Sequence, residues 1–247
     1  MESAFDFIRG VVTLDEQTFR DFLASENVMK RGFLILIACF FIATFPVFGQ
    51  TLISSWRGFS AEEALSFQEQ YEQMFEMFLP PGEEGGDFTE FMPDFIIGVN
   101  MGVEIDNLPT PLPRPFKAFF HALGAWITAV LGNIGPWLGY GVFVLLFAKL
   151  TGGRGILNLF YGLTALFAVP NLLQIFSFLP FLGPIMVFVA FLWGAAVYIR
   201  AVQISQDFSG GKAVLISVLP MLIVLLIGAC MASVAFGSLV SLISQAQ

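Results

Sequence analysis

Asp, Glu, Lys and Arg are absent from four long stretches of this chain: Gly32–Ser55, Ala118–Ala148, Gly155–Ile199 and Ala213–Gln247. A helix rising about 1.5 Å per residue needs roughly 20 apolar residues to cross a hydrocarbon core. Each stretch is long enough for one crossing, and the third is long enough for two. The pattern predicts an all-α, polytopic integral membrane protein with five transmembrane helices, at about 33–54, 127–149, 156–178, 182–203 and 213–240. Residues 116–149 are too long for one straight span, and Gly132–Pro136 is expected to kink or break it. An interfacial segment over 116–126 is therefore expected to lead into the second span.

Between and before these blocks the pattern changes period. In residues 1–31, Phe5, Ile8 and Val12 share one helical face. Leu14, Thr18 and Phe22, with Phe19 and Leu23 beside them, form a second stripe. Thr13-Leu14-Asp15-Glu16 has capping-box form, with Thr13 as the cap and Glu16 reaching back. These read as two short amphipathic helices lying at the headgroup level, with their Phe side chains in the acyl boundary. Nothing here has the form of a secretory leader. Past the first span, Ala64, Phe67, Tyr71, Met74 and Phe78 recur at steps of three and four, which predicts an amphipathic helix ended by Pro80-Pro81-Gly82. Its apolar stripe, Phe67, Tyr71, Met74 and Phe78, is the candidate outer-loop contact. The run from Pro109 to Pro115 reads as an extended connector.

The division that follows is 1–31 as cytoplasmic amphipathic helices, 32–55 as the first span, and 56–116 as an acidic extracytoplasmic insertion. Residues 117–240 form a four-span bundle and 241–247 a short tail. Orientation rests on Lys and Arg. With the N-terminus cytoplasmic and the C-terminus outside, Arg9, Arg20, Lys30, Arg31, Lys149, Arg154, Arg200 and Lys212 lie inside, against Arg57, Arg114 and Lys117 outside. A second crossing within 116–149 would reverse that bias.

Composition narrows the chemistry. The chain is 57% apolar and 12% charged, with 30 Phe. Twelve of its nineteen acids fall between Glu62 and Asp106, so the net charge of −8 belongs to one loop. There is no basic stripe for nucleic acid. The spans hold no Asp, Glu or Lys of the kind that proton coupling or intramembrane catalysis requires. The lone His121 makes no metal site, and Glu83-Glu84-Gly85-Gly86-Asp87 lacks the alternating spacing of a calcium loop. Neither catalytic, cofactor nor metal residues are predicted. Cys39 and Cys230 read as buried small hydrophobes.

Two sets of residues remain. Asn158, Asn171, Gln174 and Gln203, with Ser177, are polar groups within spans, expected to hydrogen-bond between helices. Pro170 frees a carbonyl one turn earlier, which Gln174 or a neighbouring helix would take. Small residues at i+4 spacing, namely Gly135 and Gly139, Ala190 and Gly194, and Ala229, Ser233, Gly237 and Ser241, mark helix-packing faces.

The run Lys149-Leu-Thr-Gly152-Gly153-Arg154-Gly155, then Tyr161-Gly162, Pro170, Gly183-Pro184, Trp193 and Gly211-Lys212-Ala213, resembles the Yip1 domain family. Phe5-Asp-Phe-Ile-Arg-Gly10 and Thr18-Phe19-Arg20 look like its bacterial members. The resemblance covers 1–54 and 116–240, and the acidic insertion has no counterpart in it. It implies a five-span, N-cytoplasmic, non-enzymatic protein acting through membrane partners, some bacterial relatives accompanying transport complexes. The long N-terminal region with which eukaryotic members bind trafficking GTPases is reduced here to about 31 residues. The expected function is a scaffold or accessory subunit in a bacterial plasma membrane. Its partners would be the lipid bilayer and other membrane proteins, in a transport complex or a homo-oligomer. The competing reading is a transporter or permease component with a polar kinked helix at Pro170–Gln174.

Overall fold

A computed structural model describes residues 4–57 and 113–245, the side chains of Ala4, Ala229 and 231–245 excepted. The expected helix carrying Phe67, Tyr71, Met74 and Phe78 lies outside the described residues, as do the side chains of Ala229, Ser233, Gly237 and Ser241. The described chain is helical: α1 (Ala4–Val12), α2 (Glu16–Ala24), α3 (Val28–Ala43), α4 (Phe45–Arg57), α5 (Arg114–Leu150), α6 (Leu157–Thr164), α7 (Leu182–Gln206) and α8 (Gly210–Gln245). Two 3-10 segments, Ala165–Ala168 and Pro170–Phe176, continue α6. Among the described residues, five stretches are long and apolar enough to cross a membrane: Val28–Arg57, Arg114–Leu150, Leu157–Phe176, Leu182–Gln206 and Gly210–Gly228. The protein is an integral membrane protein with five apolar spans in contact with lipid.

Three local details differ from the sequence reading. The first span is two helices, α3 and α4, interrupted at Thr44, whose hydroxyl donates to the Phe40 carbonyl at 2.7 Å. Pro46 sits in the first turn of α4, where its missing N–H costs nothing. The second span does not break at Gly132–Pro136. α5 runs on through Pro136, which removes the donor to the Gly132 carbonyl and sets its ring against that carbonyl. The third span is α-helical for one half and 3-10 for the other. At about 2.0 Å per residue in the 3-10 half, its 20 residues reach roughly 35 Å rather than about 30 Å.

The chain divides into two compact units, residues 1–46 with 126–247, and residues 47–125. In the larger unit the third span is the core. Phe160, Leu163, Thr164, Ala165, Leu166 and Ala168 are wholly buried, and the span packs along α3 and along α7. Its crossing with α3 is backbone against backbone. A Cβ on Gly32 would stand 2.8 Å from the Cα of Gly162, and one on Gly162 would stand 2.7 Å from Val28 Cγ1. The junction with α5 is made by rings instead. Tyr161 lies across Gly141 and donates its hydroxyl to the Leu138 carbonyl at 2.8 Å. Trp137 meets Tyr161 and Phe33 edge-on at 5.2 and 5.4 Å. Tyr140 reaches on to the Ser217 carbonyl of α8. In the smaller unit, Ala118 and Ala122 are buried, Phe48 meets Phe119 edge-on at 6.0 Å, and Ser55 Oγ lies 2.8 Å from His121 Nδ1.

Candidate interaction sites

α1 and α2 fold back on each other and dock on α7. The cap of α2 is Asp15 rather than Thr13. Its Oδ2 accepts from Thr18 N at 3.0 Å and Thr18 Oγ1 at 2.8 Å, while Thr13 Oγ1 donates backwards to the Arg9 carbonyl at 2.9 Å. Leu14, held at φ 58, turns the chain between them, a conformation that leucine adopts only when its surroundings impose it. Gly10 makes the close approach possible, since a Cβ there would overlap Thr18. Val11, Phe19 and Phe22 are consequently buried in protein rather than in lipid, and Phe5 and Ile8 remain exposed.

The docking contacts are polar. Trp193 Nε1 donates to the Val12 carbonyl at 2.7 Å. Glu16 accepts from Arg20 at 2.7 Å through one oxygen and from Arg200 at 2.9 Å through the other. Arg200 also donates to Gln203 Oε1 at 2.7 Å, so Gln203 bonds within its own helix. The side-chain and backbone donors of Thr18 hold the Asp15 carboxyl below its ordinary range. The hydrogen bond and charge of Arg20, with Arg200 behind it, do the same for Glu16.

The intramembrane polar residues are spent locally. Asn171 Nδ2 donates to the Phe167 carbonyl at 2.9 Å, and Gln174 Nε2 donates to Asn171 Oδ1 at 2.7 Å. Asn171, not Gln174, thus serves the backbone opened by Pro170, and both bonds stay within one span instead of crossing between helices. Asn158 is exposed at the start of the third span.

The small-residue faces divide. Ala190 is wholly buried, and a Cβ on Gly194 would stand 3.3 Å from the Phe167 carbonyl and 3.4 Å from Asn171 Nδ2. Among the described residues, nothing lies within 4 Å of where a Cβ on Gly132, Gly135 or Gly139 would sit. At 100° per residue those three share one face of α5, opposite the packed Trp137, Gly141, Val144 and Ala148.

At one end of the larger unit a second cluster forms. Gly155 N donates to the wholly buried Gln206 Oε1 at 3.2 Å, and the Ser205 carbonyl leaves no room for a Cβ on Gly155. Lys212 Nζ donates to the Thr151 carbonyl at 2.6 Å and lies 4.2 Å from the Phe208 ring centroid. The motif residues singled out in the sequence are therefore mechanical: Tyr161 ties the third span to α5, Gly162 admits α3, Gly155 admits α7, and Trp193 holds the N-terminal hairpin. Gly32, Gly141 and Gln206, their partners, carried no signal that one sequence offers. Cys39 is buried as expected, but Cys230 is exposed. Among the described residues, no three of His, Cys, Asp and Glu converge as a metal set.

A family model described as Yip1 domain matches residues 9–232 of the chain. No curated protein and no solved structure gives a significant match.

Proposed function

The chain belongs to the Yip1 domain family of membrane proteins, and on that premise we propose that it is a non-catalytic scaffold or accessory subunit that docks other membrane proteins through its second span. The observation that carries this reading is the open glycine face of α5. A glycine within a helix costs about 1 kcal/mol relative to alanine, and three on one face offer lipid nothing in return. Against another helix the same face allows backbone contact and close packing. Gly132, Gly135 and Gly139 present such a face with no other described element of this chain within 4 Å of where a Cβ would sit.

In this reading the N-terminus is cytoplasmic, the membrane is a bacterial plasma membrane, and the acidic insertion lies outside. The pairing of Asn171 with Gln174 supports a scaffold over a transporter, because these polar groups are used on each other and on the backbone beside Pro170. The test is co-purification in mild detergent. Gly135→Leu with Gly139→Leu is expected to leave folding intact and to abolish recovery of co-purifying membrane chains. Equal recovery with the wild-type chain would overturn the assignment of this face.

A further inference from the structure

A groove of about 730 Å³ opens where the first and third spans begin. Leu23, Phe33 and Leu159 are among the apolar residues that line it, and Asn27, Lys30 and Asn158 supply polar groups. Spans one and three are both odd-numbered, so whichever way the chain is inserted, both enter the membrane from the same side here. The groove therefore lies at headgroup depth, with its apolar wall continuing toward the hydrocarbon.

Its charge has one sign. Lys30 is exposed and, among the described residues, has no ion pair; the side chains of Asn27 and Asn158 have no hydrogen-bond partner either. Arg31, the next residue, stacks its guanidinium 5.5 Å from the centroid of Phe22. No carboxylate lines the groove; Glu26, beside Asn27 in sequence, is not part of its wall. In support, α3 and α6 both begin at this groove with no side-chain cap and no acid in the first turn, so both present unsatisfied N–H groups of positive sign.

We propose that this groove holds one anionic glycerophospholipid, its phosphate on Lys30 between the two asparagines and an acyl chain against Phe33 and Leu159. An apolar wall beneath an unpaired cation at the interface matches a lipid in both halves, whereas a soluble phosphate ester would use only the upper half. Lipid occupancy would also fill the gap between the α2–α3 turn and the third span.

The test uses the full chain, purified in mild detergent and reconstituted in bilayer discs of phosphatidylcholine with a minor fraction of phosphatidylglycerol. Native mass spectrometry is expected to find one phosphatidylglycerol per chain. One basic residue near a membrane surface is worth about fivefold in affinity for anionic lipid, so Lys30→Gln should weaken retention by about that factor. Lys30→Arg should keep it, and Asn158→Leu should weaken it with Lys30 intact, a second route should Lys30→Gln misfold. Arg57→Gln, which is no part of the groove's lining, should retain lipid as the unaltered chain does. Equal retention in Lys30→Gln and Arg57→Gln would overturn the proposal. Displacement of the lipid by millimolar-scale glycerol phosphate would overturn the lipid as the occupant.

Discussion

Trp193 and Val12, 181 residues apart, share a hydrogen bond of 2.7 Å from indole N–H to backbone carbonyl. It fastens the turn between α1 and α2 to the middle of α7. Trp193→Phe keeps most of the ring and removes the donor. A net loss of about 1 kcal/mol is expected for one such bond. Hydrogen exchange should accelerate through residues 11–15 and stay unchanged in the third span. Uniform acceleration across both would mean that the hairpin is not an independent docking unit.

The same hairpin should loosen in acid. Asp15 and Glu16 both titrate below their ordinary values of 3.8 and 4.5 in the folded chain. Thr18 and Arg20 belong to α2 itself, so the larger part of this holds that helix; the smaller Arg200 contribution is lost on release and makes the docked state bind fewer protons than the released one. Its stabilisation is present above about pH 4.5 and is lost as pH falls through the depressed values. Protease cleavage between α1 and α3 should rise over that interval. In Glu16→Gln the part due to Glu16 should be missing, so the profile should be shallower. An identical profile would dismiss Glu16 as its source.

Glycine substitutions should separate by face. Gly162→Ala drives a methyl into Val28 and the α3 backbone, and folding yield should collapse. Gly132→Ala, with open space around it, should gain up to about 1 kcal/mol of helix stability in the isolated chain. Thermal unfolding in detergent measures both. Similar losses at the two positions would remove the distinction between packed and open faces.

Orientation is open to labelling. Single cysteines on a background lacking Cys39 and Cys230 should react from outside at Gly85 and Gln245, and should be protected in intact cells at Ser25, Thr151 and Ser209. Outside reaction at Thr151 would reverse the assignment of the loop between α5 and α6.

The spans were legible because hydrocarbon excludes charge, and that exclusion is written residue by residue in the sequence. The course of the chain within a span was not. Thr44 interrupts the first span and 3-10 geometry replaces α-helix after Thr164, yet neither changes hydropathy. At the N-terminus the capping-box spacing favours Thr13, three residues before Glu16, yet Asp15 takes the cap by accepting from Thr18. The left-handed backbone at Leu14 goes with the cap at Asp15, and a single leucine in the sequence does not announce that conformation. Contact faces were half legible. Small residues at i+4 spacing occur both where helices touch, as at Ala190 and Gly194, and where no other described element approaches, as at Gly135 and Gly139.

The central place of the third span also bears on how the protein is made. Its two long neighbours come from opposite directions in the chain: α3 is synthesised before it and α7 after it. When Phe176 leaves the ribosome, Gly162 already has Gly32 to meet, but the flank bearing Asn171 still waits for Gly194. For that interval the future core of the protein faces the bilayer or the insertion machinery. Arrival of α7 closes it, and only then can Trp193 and Arg200 receive the hairpin that was synthesised first.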